Sequence, residues 1–256
     1  MTPRSAALAA TLIATLATLA PAQNPMPAAA PGPTAGPEAT RGLPVKWVRE
    51  SEEYATLFRQ VYRVATRAVE TGARQVPAGR WAVVLDVDET SLDNSLYELE
   101  RAAYGQPFAA ATWDPWLVRR AAGAVPGVVD FIAAVRRLGG HVAWITDHPP
   151  GSLEDTRATL RSAGLWNDDD RLCLLDTAQY TKAARRAEVL SGSGRCAWTG
   201  QAMTVLAYFG DQMGDFPQTG ESDPDAGSDA AFGVRFFILA NPMYGRWTTR
   251  VTRRDR

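Results

Sequence analysis

Five apolar runs punctuate the chain, and the stretches between them place apolar residues at helical spacing. The run from Trp81 to Leu85 is unbroken and valine-rich, as suits a strand buried on both faces. Similar runs follow at His141 to Ile145, around Leu172 to Leu175, at Val205 to Phe209 and at Val234 to Ala240. Between them, Val128, Phe131, Ile132, Val135 and Leu138 predict a helix opened by Pro126-Gly127 and stopped by Gly139-Gly140. Further helical patterns run from Leu153 to Leu165 and from Thr181 to Leu190, and an N-terminal one over 46–71 carries Trp47, Tyr54, Phe58 and Tyr62. Strands alternating with helices predict an α/β fold, a parallel sheet flanked by helices on both faces.

Polar residues begin where the apolar runs stop. The first run ends in D-V-D-E-T-S-L-D-N, placing Asp86 and Asp88 at a strand's carboxyl end, where open parallel sheets bind ligands. Two carboxylates so spaced can aim apart, one as a nucleophile and one at a leaving-group oxygen, and together can hold a hard cation. An acidic turn is the plain alternative. The second run ends in Thr146-Asp147-His148 and the fourth in Gly210-Asp211-Gln212-Met213-Gly214-Asp215, while Lys182 opens a helix between them. Singly, these read as a capping threonine, a tight turn and a solvated lysine. The segment over about 93–124 is polar and aromatic, with Tyr97, Tyr104, Phe108, Trp113 and Trp116, and reads as a cap above the crevice. The 46–71 helix is expected to contribute to that smaller unit.

Composition adds an address. Arg4 followed by the uncharged Ala6 to Ala20 and by Ala20-Pro21-Ala22 resembles a signal peptide over 1–22. Residues 23–44 are Pro/Ala-rich and read as a disordered leader before a folded domain over 45–256. Export to the periplasm or outside the cell follows as the expectation. It permits Cys173 and Cys196 to pair, although the apolar run around Cys173 favours an ordinary core cysteine. A net charge of -1 gives no pull toward nucleic acid polymers or anionic membranes. The basic tail from Arg246 to Arg256 reads as a solvated terminus.

Taken in chain order, Asp86/Asp88, Thr146, Lys182 and Asp211/Asp215 resemble the four motifs of the haloacid dehalogenase (HAD) superfamily of phosphohydrolases. The stretches W-V-R-E-S-E-E-Y, L-D-V-D-E-T-S-L-D-N, A-V-P-G-V-V-D-F, T-K-A-A-R-R-A-E-V, G-D-Q-M-G-D-F and N-P-M-Y-G-R-W narrow the likeness to the bacterial class C acid phosphatases and 5'-nucleotidases. That resemblance implies a HAD-like Rossmannoid core with a smaller, mainly helical cap, and Mg²⁺-dependent hydrolysis of phosphomonoesters, nucleoside monophosphates included. It implies Asp86 as nucleophile forming an aspartyl-phosphate, Asp88 as acid and base, and Thr146 and Lys182 as phosphate ligands. Asp86, Asp88 through its backbone carbonyl, Asp211 and Asp215 would hold or orient the metal, and Trp113 and Tyr244 would clamp the base or aryl group. Other readings are a phosphotransferase and a non-catalytic binder of phosphorylated ligands.

Two departures stand out. No cysteine precedes Cys173 to carry a lipid, so no lipid anchor is expected. Asp147-His148 replaces the Asn-Arg frequent in relatives. Asp147 would repel phosphate unless turned away, and His148 is expected to be an inert, exposed turn residue.

Overall fold

The computed structural model describes residues 42–198 and 200–249. The expected signal peptide, nearly all of the leader and the end of the basic tail lie outside them. Among the described residues no helix is long and apolar enough to cross a membrane.

The chain runs α1 (Leu43–Glu50), α2 (Glu52–Ala73), β1 (Trp81–Leu85), β2 (Leu92–Asp93), α3 (Ser95–Ala103), α4 (Ala110–Arg119), β3 (Gly123–Ala124), α5 (Val128–Arg137), β4 (His141–Ile145), α6 (Leu153–Ser162), β5 (Arg171–Cys173), α7 (Lys182–Ser191), β6 (Thr204–Gly210) and β7 (Phe236–Ile238). Five strands form one parallel sheet in the order β5-β4-β1-β6-β7. The most apolar strand, β1, is therefore central. Trp81, Val83 and Leu85 point into the core shared with α2 and α5, while Ala82 and Val84 join Val189 of α7 on the opposite face. The two-residue alternation of a strand thus fills two cores from one continuous apolar run.

The last strand is shorter than the apolar run suggested. The main-chain N–H groups of Val234 and Arg235 both donate to Ala231 O, which makes that part of the run a turn. The helix expected over 46–71 is divided at Ser51, whose hydroxyl accepts from Tyr54 N at 3.0 Å and so caps α2. Helix α1 packs on α3, whereas α2 packs on α5 and β6. In the expected cap segment, β2 pairs antiparallel with β3 at the base, and α3, α4 and the loop between them bring Tyr97, Trp113 and Phe108 into mutual ring contact.

Cys173 and Cys196 form a disulfide, so the reading of Cys173 as an ordinary core cysteine is corrected, although both are buried. Local sequence could not show this pairing, because α7 (Lys182–Ser191) separates the two cysteines along the chain.

Arg185 fastens the strand ends together. Fully buried, it donates to Thr146 O at 2.5 Å, to Cys173 O at 3.1 Å and to Thr181 O at 3.2 Å, tying the ends of β4 and β5 to the start of α7. It also pairs with Asp147 at 2.5 Å, whose side chain is 61% exposed. Buried carbonyls left without a donor cost far more than an exposed ion pair is worth. Arg185→Met should therefore lower unfolding free energy by about 3 kcal/mol or more, and Asp147→Asn by less than about 1 kcal/mol. Equal losses in urea denaturation would refute this account.

Candidate active site

The carboxyl end of β1 lies beside those of β4 and β6, at the point where the chain turns to opposite sides of the sheet. Asp86 continues β1, and its N–H still donates to Phe209 O of β6. After it the chain folds back tightly. Ser91 N and Leu92 N both reach Val87 O, Ser91 Oγ donates to Asp86 O at 2.7 Å, and Glu89 adopts a left-handed conformation with φ 55°. A non-glycine residue held there is strained, and the surrounding bonds hold it.

The side chains of the two aspartates part. Asp86 Oδ1 accepts from Lys182 Nζ at 2.6 Å, and its Oδ2 accepts from Thr90 Oγ1 at 3.2 Å. Asp88 turns away, with Oδ1 accepting from Asn94 Nδ2 at 2.9 Å and Oδ2 lying 2.7 Å from His148 Nε2. Lys182 Nζ also donates to Asp215 Oδ1 at 2.6 Å. Asp211 accepts from Asn241 Nδ2 at 2.8 Å, and Asp215 Oδ2 accepts from Gln212 N at 2.9 Å. Gly210 is required here, because a Cβ would collide with the Asp215 carboxylate.

Oxygens of Asp86, Asp211 and Asp215 lie within 4.8 Å of one another. An all-oxygen, multiply charged donor set suits a hard divalent cation. Electrostatics agree with that fit. Burial pushes the Asp86 carboxyl well above the ordinary range, and Asp215, Asp211 and Asp88 add to the push while Lys182 opposes it. Burial and then Asp215 raise Asp211 to about 7, against the pull of Asn241 and Lys182. One ammonium does not balance these carboxylates, and a bound cation would. At Asp88 burial acts in the same direction, but His148 and Asn94 outweigh it and hold this carboxyl below its usual value.

Above this floor opens a cavity of about 670 Å³. Asp86, Asp88, Lys182 and Asp211 face into it from the core, and Phe108, Trp113 and Tyr244 supply aromatic walls. Trp113 and Tyr244, singled out in the sequence, thus line one cavity, from the cap and from the segment after β7. Thr146 does not line the cavity. It is fully buried, and its hydroxyl accepts from His148 N at 3.3 Å. Asp147 stands at the rim, paired with Arg185, so its charge is partly met.

The expectation for His148 is overturned. Only 3% exposed, it is wedged between Asp88, Thr156 and the edge of Trp113. Asn94 and Asn241 were also overlooked as functional partners, although both sit in the stretches that carried the family resemblance. Their signal was the run itself, not the residue type.

The family model of HAD superfamily subfamily IIIB (acid phosphatase) matches residues 8–247. The chain belongs to this family. Among solved structures it is similar to the class C acid phosphatase from Bacillus anthracis at 26% identity and TM-score 0.67, covering 80% of this chain and 84% of that one. A second structure of that Bacillus anthracis enzyme, with tungstate bound, matches at 28% identity with the same TM-score and coverage. The expected fold and enzyme class hold: this HAD phosphatase is a hydrolase of small phosphoesters, and its three clustered aspartates can hold the divalent metal such phosphatases use.

The raised carboxyls have a consequence for pH. Unfolded aspartates titrate near 3.8, so the metal-free folded protein keeps protons that the unfolded chain has released. The stability from Asp211 is thus complete below its unfolded pKa and is lost as pH rises through about 7. In chelator, Tm should fall by roughly 5 °C or more between about pH 5 and about pH 8, less so in Asp211→Asn, and added Mg²⁺ should raise Tm most at the higher pH. A metal effect that ignores pH would contradict the cluster.

Proposed function

We propose that this phosphatase is an exported, Mg²⁺-dependent acid phosphatase of broad phosphomonoester specificity, nucleoside 5'-monophosphates included, acting through an aspartyl-phosphate on Asp86. The observation that carries the reading is the division of labour between Asp86 and Asp88, two residues apart but held by different partners on one cavity floor.

Asp86 is fixed by Lys182 and Thr90 so that its carboxylate cannot swing, which favours a single line of attack on phosphorus. Asp88, turned away from Asp86 yet lining the same cavity, is placed to take a proton from water and, once protonated, to give one to the departing oxygen. Lys182 keeps its own charge, since Asp86 and Asp215 outweigh the effect of its burial, and it steadies the negative charge that gathers during transfer. Held by Asp86, Asp211 and Asp215, Mg²⁺ would neutralise phosphoryl oxygens. Buried Thr146 would serve the phosphate through the turn it anchors, by holding His148 N, more than through its own hydroxyl.

Trp113 and Tyr244 give the leaving group aromatic faces on which any base can stack. The tungstate in one Bacillus anthracis structure, an oxyanion, supports a phosphate-shaped floor in a similar enzyme. Export is supported by the signal-like residues 1–22 and by the Cys173–Cys196 disulfide, a bond rare in reducing compartments.

A panel of phosphomonoesters assayed with and without chelator tests the proposal. Turnover should vanish on metal removal and return with Mg²⁺. Trp113→Ala should raise KM about tenfold for nucleoside monophosphates and less than about twofold for small aliphatic phosphates. Metal-independent turnover, or equal KM changes, would count against it.

A further inference from the structure

A carboxylic acid that must deliver its proton to one departing oxygen has a loose terminal torsion, broad and roughly two-fold, that has to be restrained. Asp88 is met at both oxygens, by a hydrogen bond at Oδ1 and by close contact with an imidazole nitrogen at Oδ2. On one side Asn94 Nδ2 donates to Oδ1, and Asn94 is itself fixed by Trp116 Nε1 on its Oδ1 at 2.8 Å and by Glu89 Oε1 on its N–H at 2.8 Å. On the other side stands His148 Nε2, 2.7 Å from Oδ2. The imidazole is fixed in turn, with Nδ1 2.8 Å from Thr156 Oγ1 of α6 and its backbone N–H on Thr146 Oγ1. Its ring also meets Trp113 edge-on, with centroids 5.8 Å apart and planes at 69°. One buried side chain therefore touches both the proton donor and the aromatic wall offered to the leaving group.

We infer that His148 is a positioning residue for leaving-group protonation: it holds the Asp88 carboxyl in register with a leaving group lying against Trp113. The inference rests on the reading of Asp88 as the general acid. Without the imidazole, Asn94 alone tethers the carboxyl and Oδ2 is free to swing. The cost falls on the one step in which a proton must reach the departing oxygen, and grows with the basicity of that oxygen.

The test is a series of ring-substituted phenyl phosphates, similar in size but graded in leaving-group pKa, assayed with Mg²⁺ at each variant's own pH optimum, because removing His148 also releases a carboxyl that it holds below its usual value. The ratio kcat/KM covers events only up to expulsion of the phenol, so hydrolysis of the phosphoenzyme does not enter. His148→Ala should steepen the fall of kcat/KM with leaving-group pKa. The loss should be about tenfold or more for unsubstituted phenyl phosphate and less than about threefold for the 4-nitro compound. His148→Gln, whose amide N–H can reach toward Asp88, should recover part of the slope. Asp88→Asn should steepen it at least as much. Selective loss in Asp88→Asn beside an even loss across the series in His148→Ala overturns the role of His148 alone. Even losses in both withdraw the general-acid assignment, and the inference with it. If His148→Ala does not fold by circular dichroism, Thr156→Val releases the imidazole instead, and a slope unchanged there overturns the inference.

Discussion

The ammonium of Lys182, bonded at 2.6 Å to both Asp86 and Asp215, is the contact on which the rest of this molecule depends. Burying carboxylates is costly unless opposite charge meets them, and here three lie together with one lysine among them. The arrangement stands because the lysine is delivered accurately. Thr181 caps α7 through its hydroxyl on Ala184 N, Arg185 ties the helix start to β4 and β5, and Arg186 donates to Gly214 O and Asp215 O while pairing with Glu221. Two consecutive arginines thus fix the helix to opposite sides of the site. The remaining excess of negative charge is what a divalent cation would satisfy.

The cap is joined to that floor through aromatic and amide contacts. Trp116 holds Asn94, Asn94 holds Asp88, His148 stands 2.7 Å from its other oxygen, and Trp113 borders both the imidazole and the cavity. A displacement of α4 would be felt at Asp88, so the proposed proton donor and the aromatic wall of the cavity share one set of contacts.

Much of this was legible in the sequence, for physical reasons. An unbroken apolar run ending in acid marks a buried central strand whose carboxyl end opens on a ligand crevice, and β1 with Asp86 is that. The break at Ser51 was missed in the continuous helix expected over 46–71, although S-E-E is a helix-start signal with acid in the first turn. What was not legible were partnerships across long separations. His148 looked like a turn residue because nothing local reveals that α6 and the cap close over it. Arg185 was not singled out in the sequence, yet its guanidinium serves carbonyls thirty-nine and twelve residues away. The pairing of Cys173 with Cys196 depended on the path of α7, which periodicity does not specify.

The central claim is that the lysine-held carboxylate at the end of β1 is the group that bonds to phosphorus. Acid quenching during turnover, followed by peptide mass spectrometry, tests it most directly. The account predicts one added phosphoryl group on the peptide carrying Asp86, absent when Asp86→Asn is treated in the same way. A phosphoryl group trapped on another residue, or full turnover by Asp86→Asn, would contradict it.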